Sequence, residues 1–193
     1  MESFYTIQGE GAFQGHAAYF IRLGGCDVGC VWCDVKESWE ASDHPMEEIT
    51  EIISKVTSSN APMVVVTGGE PAMYDLTMLT KELKSIGKRT HIETSGAYPV
   101  TGTWDWICLS PKKFKKPDHS VYEKANELKV IVYNKSDLKW AIEESAKVDS
   151  ECRLFLQPEW SVEKKVLPSI IDFVKENPAW RISLQAHKYM NIP

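Results

Sequence analysis

The chain has 193 residues, a length that favours one domain with a sizeable core, because two domains would be cramped. Its hydrophobic fraction of 43% and charged fraction of 25% are those of an ordinary globular protein and exclude a largely disordered chain. The net charge of -5 argues against an extended nucleic-acid surface, so the composition favours a small-molecule substrate and no nucleic-acid partner.

The five cysteines do not form the pattern of a disulfide framework. Three are clustered, and Cys108 and Cys152 each lie in an apolar run, as expected of buried thiols in a reducing compartment. Residues 1–4 lack the features of a signal segment, and no run approaches the ~18 apolar residues of a membrane span. We therefore expect a cytoplasmic protein without a membrane partner.

Apolar runs separated by turn residues predict strands that alternate with helices. Residues 6–11 are too rich in glycine for a helix. Strands are predicted at 17–23, 63–67, 91–93, 106–109, 128–132, 153–156 and 181–184, and helices at 46–58, 75–85, 136–147 and 162–176. The link before 106–109 has only about a dozen residues, too few for a full helical crossover.

This alternation predicts an α/β fold with a parallel sheet and right-handed crossovers. Six or seven strands with only four or five helices predict an incomplete (β/α) barrel, formed as a single domain over residues 1–193. Polar motifs follow the strands: Gly68-Gly69-Glu70-Pro71, Thr94-Ser95-Gly96, Ser110-Pro111-Lys112, Gln157-Pro158 and Gln185-Ala186-His187-Lys188. Because the carboxyl ends of parallel strands share one edge, these motifs are expected to surround a pocket.

Residues 24–34 contain three cysteines, Cys26, Cys30 and Cys33, interleaved with glycines. Three thiolates on a [4Fe-4S] cluster leave one iron without a protein ligand, where a small molecule can bind and be reduced. The alternative is a zinc-stabilised binding module with His16 or His44 as the fourth ligand. Zinc loops more often contain paired Cys-x2-Cys motifs, and the chain has no second pair, so the spacing favours the cluster.

The spacing Cys-x3-Cys-x2-Cys, with Trp32 before the third cysteine, resembles the cluster loop of radical S-adenosylmethionine (SAM) enzymes. The resemblance implies a distorted partial barrel, the radical SAM core. It also implies that SAM binds the open iron and receives an electron, and that a 5′-deoxyadenosyl radical is released. A glycyl-radical activating enzyme shares this loop, but it would need a protein substrate.

The whole chain resembles the 7-carboxy-7-deazaguanine synthases of queuosine and deazapurine biosynthesis. The matching stretches are residues 6–11, 20–26, 32–34, 67–71, 92–96, 110–112 and 187–193. The first and last of these are the specific ones, and they argue against the activating enzyme. The family converts 6-carboxy-5,6,7,8-tetrahydropterin to 7-carboxy-7-deazaguanine with loss of ammonia. The resemblance further implies a homodimer and a reductase or flavodoxin-type electron donor.

The residues that would contact SAM follow from this resemblance. They are Gly68, Gly69, Glu70, Gly96, Ser110, Pro111 and Lys112. Glu70 is expected to accept from the SAM ammonium, and Lys112 suits its carboxylate or ribose oxygens. Trp32 either packs on the adenine or packs within its own loop.

Recognition of a pterin has two chemical requirements. Its 2-aminopyrimidinone edge presents adjacent N–H donors, which a carboxylate accepts in pairs, and its carboxylate suits a planar cation. Glu10 or Glu93 meets the first requirement and Arg22 the second, so Glu10 and Arg22 are the predicted catalytic residues. Further substrate contacts are predicted from Ile7, Gln8, Gly9, Thr94 and the terminal Pro193.

One residue departs from the family pattern. The family usually has Thr or Ser two residues after the third cysteine, where its hydroxyl binds Mg²⁺, a hard cation that seeks oxygen ligands. Here that residue is Val35, which has no side-chain oxygen. Three alternatives remain open: Asp34, substrate and water hold Mg²⁺, Lys36 replaces its charge, or the ion is not needed.

Overall fold

The computed structural model describes residues 1–193 and contains one eight-stranded sheet. The strands are β1 (Glu2–Ile7), β2 (Ala17–Leu23), β3 (Met63–Gly68), β4 (Arg89–Thr94), β5 (Trp106–Leu109), β6 (Glu127–Val132), β7 (Arg153–Pro158) and β8 (Trp180–Ile182). Their order in the sheet is their order in the chain, and β1 does not pair with β8. β1 is antiparallel to β2, and every later pair of neighbours is parallel.

Six helices accompany the sheet. They are α1 (Ile49–Thr57), α2 (Thr77–Ser85), α3 (His119–Lys124), α4 (Ser136–Ser145), α5 (Glu163–Glu176) and α6 (Ala186–Met190). The main hydrophobic core has 27 buried residues drawn from strands β2–β8 and from the helices. The architecture is the partial α/β barrel that the sequence predicted. No helix is both long enough and apolar enough to cross a bilayer.

Strand β3 shows why the sheet forms here. Its Met-Val-Val-Val run is buried on both faces, as is typical of a central parallel strand. Val64 and Val66 belong to the main core, whereas Met63 and Val65 face the other way and pack with Ala18. The β-branched side chains therefore stabilise both sides of the sheet.

Three elements were not predicted. β1 is a half-exposed edge strand without a clear apolar alternation, and it precedes a glycine-rich turn. The helices α3 and α6 have six and five residues, too few to show a helical period. The sheet accordingly has eight strands instead of six or seven, while the β4–β5 link contains no helix, as expected.

Several boundaries differ from the predicted ones by a few residues. Helix α1 begins at Ile49 instead of residue 46, because Glu48 is extended and forms the N-cap. Helix α2 begins at Thr77, and α4 ends at Ser145. Strand β8 ends at Ile182, so residues 183–184 already belong to the edge of the sheet where the site lies.

The two faces of helix α2 give a test of the packing. Leu83 is fully buried against the sheet, whereas Met78 is 53% exposed on the same helix. We expect Leu83→Ala to lower the free energy of unfolding by about 2–5 kcal/mol, because it removes buried methyl groups and leaves a cavity. The control Met78→Ala is expected to change it by less than about 0.5 kcal/mol. Urea denaturation measures both, and equal losses would contradict the placement of α2.

Candidate active site

A cavity of about 250 Å³ opens at the carboxyl edge of the parallel strands. The cysteine loop (residues 24–34), the ends of β2–β7 and both terminal segments line it. The predicted site residues that line it are Ile7, Gln8, Gly9, Glu10, Arg22, Cys26, Cys30, Trp32, Cys33, Gly68, Gly69, Glu70, Glu93, Thr94, Ser110, Lys112 and Pro193. The structure therefore brings together residues that are up to 186 positions apart (193 − 7).

Gly96 and Pro111 do not line the cavity. Gly96 has φ +76°, and a Cβ there would lie 2.6 Å from Leu109 Cδ1. Pro111 is buried beside the end of β5. Glycine is needed at position 96 because of its backbone conformation and its packing on β5. The direct contacts with SAM that the sequence predicted for Gly96 and Pro111 stay predictions, because neither residue lines the cavity.

The turn after β3 is joined both to β2 and to the cysteine loop by backbone hydrogen bonds. The Gly69 N–H donates to Leu23 O of β2 at 2.9 Å, and the Glu70 N–H donates to Gly25 O of the loop at 2.8 Å. A Cβ on Gly69 would lie 2.2 Å from Gly25 O. Glycine at position 69 is therefore required by the close approach of this loop, a reason that differs from the ligand contact predicted from the motif.

The three loop cysteines are free thiols that line the same cavity. Burial raises the pKa of the Cys30 thiol to about 11. No three Cys, His, Asp or Glu side chains are close enough to hold one metal ion. His44 Nε2 is 2.8 Å from Glu37 O, so this nitrogen is already engaged.

This donor set fits a cluster better than a single zinc ion. A [4Fe-4S] cluster binds each thiolate to a different iron, so its ligands lie further apart than those of one tetrahedral ion. Three soft sulfur donors on one loop match the cluster's preferred ligands. The zinc alternative would need a fourth ligand, and the Nε2 atom of His44, one of the two residues considered, already contacts Glu37 O.

The Glu70 carboxylate is 1% exposed and joins the ends of β3 and β4. Its Oε1 accepts from the Ala72 N–H at 3.0 Å and from the Thr94 hydroxyl. Its Oε2 accepts from the Ser95 N–H at 2.8 Å and from the Ser95 hydroxyl. A carboxylate has about four acceptor positions, and protein donors fill them here. In this arrangement neither Glu70 nor the Thr94 proton is free for a ligand.

Lys112 places a cation beside the cysteine loop. Its ammonium is 2.6 Å from both Ser110 O and Ser110 Oγ, and it lies 5.7 Å from the centre of the Trp32 ring. Burial lowers the pKa of Lys112 from its usual value. Trp32 also meets Phe114 edge-on at 6.2 Å between ring centres. A positive charge and an aromatic face therefore stand next to Cys30 and Cys33 in the same wall.

A buried ion cluster forms the opposite part of the cavity. Lys129 is 3% exposed, and its ammonium pairs with Glu10 Oε2 and, at 2.9 Å, with Glu93 Oε2. Gln8 Nε2 donates to Glu93 Oε1 at 2.8 Å, and Gln185 Nε2 donates to Glu10 Oε1 at 3.0 Å. Each carboxylate thus has two protein donors and about two acceptor positions left.

The ionisation of Glu10 follows from this cluster. Burial alone would raise the pKa of Glu10, but the charge of Lys129 and hydrogen bonds from Lys129 and Gln185 hold it well below its usual range. Burial alone would lower the pKa of Lys129, but Glu10 and Glu93 raise it well above its usual value. Glu10 and Lys129 are therefore charged at neutral pH.

Arg22 lies at the end of β2 and lines the cavity. Its Nη1 is 3.0 Å from Glu2 Oε1, and its guanidinium lies 5.3 Å from the centre of the Phe4 ring. The side chain is 28% exposed, and the Glu2 carboxylate beside it is 46% exposed. The guanidinium is thus held by an edge-strand neighbour while part of it still faces the cavity.

The two terminal segments meet across the cavity. The Ala186 N–H donates to Gly9 O at 2.9 Å, and the Thr6 hydroxyl donates to Pro193 O at 3.2 Å. Lys188 pairs with Asp34 at 2.8 Å and so connects α6 to the cysteine loop. These contacts hold the last residues beside the cavity, which Pro193 lines, and the contact of Pro193 with the substrate stays a prediction.

Sequence reasoning missed several lining residues. They are Thr67, Lys129, Ile131, Glu159 and Trp160. Gln157, Gln185 and His187 also line the cavity, and the sequence placed them in the polar motifs after the strands without assigning them a role. A lysine inside the apolar run of β6 was an available signal, because a buried ammonium needs carboxylate partners. Val35 also lines the cavity and contributes no oxygen there.

Comparisons with known proteins agree with this geometry. Residues 20–109 match the Radical SAM superfamily. A 7-carboxy-7-deazaguanine synthase from Flavobacterium psychrophilum is 60% identical over 193 residues, covering 100% of this chain and 91% of that protein. One from a Synechocystis strain is 48% identical, covering 99% and 91%. The crystal structure of QueE from Escherichia coli superposes with a TM-score of 0.82 at 34% identity, covering 96% of this chain and 92% of that chain.

Identity of this extent over nearly the full length of both proteins, together with the shared fold, places the sequence in a known group. The chain belongs to the 7-carboxy-7-deazaguanine synthase family of the Radical SAM superfamily.

Proposed function

We propose that this chain is a carbon–nitrogen lyase that converts 6-carboxy-5,6,7,8-tetrahydropterin to 7-carboxy-7-deazaguanine with loss of ammonia. One observation carries the proposal: three free cysteines line the same cavity as an arginine and two carboxylates with free acceptor positions. Relatives that bear the name of this activity support it. The product would enter the synthesis of queuosine or another deazapurine.

Cys26, Cys30 and Cys33 would hold the [4Fe-4S] cluster, and the wall formed by Trp32, Ser110 and Lys112 would hold SAM. When bound, the cluster and SAM supply a 5′-deoxyadenosyl radical that removes a hydrogen atom from the substrate. Lys112 contributes a partly buried positive charge for the SAM carboxylate. Trp32 contributes a flat face for the adenine.

The part of the cavity that carries Glu10, Glu93 and Arg22 would bind the pterin at both ends of the ligand and so orient it. Glu10 and Glu93 accept from the adjacent N–H donors of the 2-aminopyrimidinone edge, with the acceptor positions that the protein leaves free. Arg22 binds the substrate carboxylate, for which its planar guanidinium suits two parallel hydrogen bonds. Two fixed ends would hold the pterin in one orientation, and such positioning contributes to the rate of an enzymatic reaction.

The terminal segments would exclude water from the reacting atoms. The Lys188–Asp34 pair and the Ala186–Gly9 hydrogen bond hold α6 across the cavity. Ile7 and Gly9 offer backbone groups to the substrate, while the Gln8 side chain is engaged by Glu93 and Glu10. Exclusion of water would protect a radical from side reactions.

The proposal extends to partners and location. A reductase or a flavodoxin-type protein would supply the electron, and two copies of the chain would form a homodimer, as the family resemblance implies. Free thiols at all five cysteines support a reducing compartment, and we place the enzyme in the cytoplasm. A glycyl-radical activating enzyme is less consistent with full-length relatives named for the deazaguanine reaction.

The first prediction concerns the cluster ligands. Cys30→Ala should abolish the brown colour, acid-labile sulfide and SAM cleavage of the reconstituted protein, because two thiolates do not retain the cluster. The matched control is Cys152→Ala, which removes a buried thiol outside the cavity and should leave all three unchanged. Iron and sulfide analysis and 5′-deoxyadenosine production measure the result. Retention of full iron content by Cys30→Ala would show that Cys30 is not a ligand.

The second prediction concerns Arg22. Arg22→Ala should weaken pterin binding by about 10- to 150-fold, the equivalent of about 1.5–3 kcal/mol for hydrogen bonds to a charged group. SAM cleavage by the reduced cluster should persist without pterin turnover. Arg22→Lys should recover only part of the affinity, because its ammonium lacks the planar fork.

Anaerobic titration with the carboxypterin measures the affinities. Arg181→Ala, at an exposed position of β8, serves as the control for loss of one positive charge. Unchanged pterin affinity in Arg22→Ala would remove Arg22 from the site.

The third prediction concerns Mg²⁺. Because Val35 offers no oxygen, turnover should be the same with Mg²⁺ and after its depletion by a chelator, provided that the iron content is unchanged. Val35→Thr should introduce a dependence on Mg²⁺. Strong Mg²⁺ dependence of the unaltered enzyme would show that a hydroxyl at this position is dispensable for binding the ion.

A further inference from the structure

Lys129 is the buried cation that joins the two carboxylates facing the cavity. Its ammonium contacts Glu10 from the segment after β1 and Glu93 from β4, although the two are 83 positions apart (93 − 10). Gln8 and Gln185 fix the outer oxygens of the same two carboxylates. The spacing and orientation of these acceptors are therefore set by one ammonium between them.

Acceptor capacity distinguishes this pair from the other buried carboxylate of the cavity. Glu70 receives four hydrogen bonds from the protein, whereas Glu10 and Glu93 each receive two. A carboxylate accepts about four. Glu10 and Glu93 are thus the partly buried carboxylates that can accept from a ligand, and Lys129 is the one residue that contacts both.

We propose that Lys129 is a positioning residue for substrate recognition, which holds the Glu10 and Glu93 carboxylates as a pair of acceptors at a fixed spacing for the N–H edge of the ring substrate. Lys129 acts through the two carboxylates, and it need not touch the reacting atoms. The inference rests on the proposed function, because the pterin is the ring substrate that presents this edge.

The charges around the pair explain why a cation is needed. Glu127 on β6, Cys108 on β5, His187 on α6 and Lys112 after β5 are the other titratable groups that face it. None of them contacts an oxygen of Glu10 or Glu93. Without Lys129, two partly buried carboxylates would face each other with a third, the buried Glu127, nearby, and protonation would relieve their repulsion.

Burial is the largest influence on Glu10, and by itself it raises the pKa of that carboxyl. Removal of Lys129 should therefore bring a carboxyl pKa of the pair up toward neutral pH. Pterin affinity would then fall as the pH falls through that raised value, because a protonated carboxyl loses acceptor capacity. In the unaltered protein Lys129 holds the pKa of Glu10 well below its usual range, and affinity should not change with pH in the same range.

The test uses the reconstituted holoenzyme with SAM, titrated anaerobically with 6-carboxytetrahydropterin between about pH 6 and about pH 8, the range that a buried unpaired carboxyl reaches. We expect Lys129→Met to bind about 10- to 100-fold more weakly near pH 6, with recovery toward pH 8, whereas the unaltered enzyme gives a flat profile. Lys84→Met is the matched control, since Lys84 pairs with Asp105 outside the cavity. Its profile should equal that of the unaltered enzyme.

Lys129→Arg keeps the positive charge, and its pH profile of pterin binding tests the proposal if Lys129→Met does not fold. A guanidinium should keep the profile flat but weaken binding, because its reach differs from that of an ammonium. A pH-dependent profile or full affinity in Lys129→Arg would overturn the proposal. A flat, full-affinity profile in a folded Lys129→Met would do the same.

Two failures are distinguishable. If the unaltered enzyme does not bind the pterin at any pH, the proposed function fails and the role of Lys129 fails with it. If the unaltered enzyme binds and Lys129→Met binds equally well, the role of Lys129 alone is refuted. Thermal unfolding of each variant across the same pH range separates loss of binding from loss of the fold.

Discussion

The close contact between the Gly69 backbone and the Gly25 carbonyl is the constraint on which the site depends. It places the start of the cysteine loop against the turn after β3, where the Glu70 N–H donates to Gly25 O. There is no space for a side chain at position 69, so the cysteine loop packs directly against the edge of the sheet. The distance between the cysteines and the polar ends of the later strands is thereby fixed by backbone geometry.

Charge is distributed unevenly around that surface. Near the cysteines the walls carry Lys112, and across the cavity they carry the Glu10–Lys129–Glu93 cluster. The Glu70 carboxylate also lines the cavity, but its acceptor positions are occupied by donors in the turns after β3 and β4. One wall therefore suits an anionic group beside an aromatic ring, and the other suits a neutral ring rich in N–H donors, which matches the two ligands of the proposed reaction.

Much of the fold was predictable because its strongest signals are local. The β-branched run of β3 and the polar motifs after the strands identified both the parallel sheet and the edge that carries the site. β1 was not predictable, since a half-exposed edge strand is stabilised mainly by its partner β2. The roles of side chains were also hard to predict, because they depend on contacts made in the folded chain. The Gly-Gly-Glu-Pro motif identified the correct turn, but the four hydrogen bonds that Glu70 accepts are visible only in the structure. Lys129 was detectable in principle as a charge inside an apolar strand, although its partners were not.

The order of the strands has a consequence for how the protein is made. Each strand from β2 to β8 pairs with its predecessor in the chain, so the sheet can grow in the direction of synthesis by steps of modest loop closure. The bonds from Gly9 to Ala186 and from Thr6 to Pro193 instead join residues that are far apart in the chain. Helix α6 contributes no residue to the main core, so the sheet and its core can form before these bonds close the cavity.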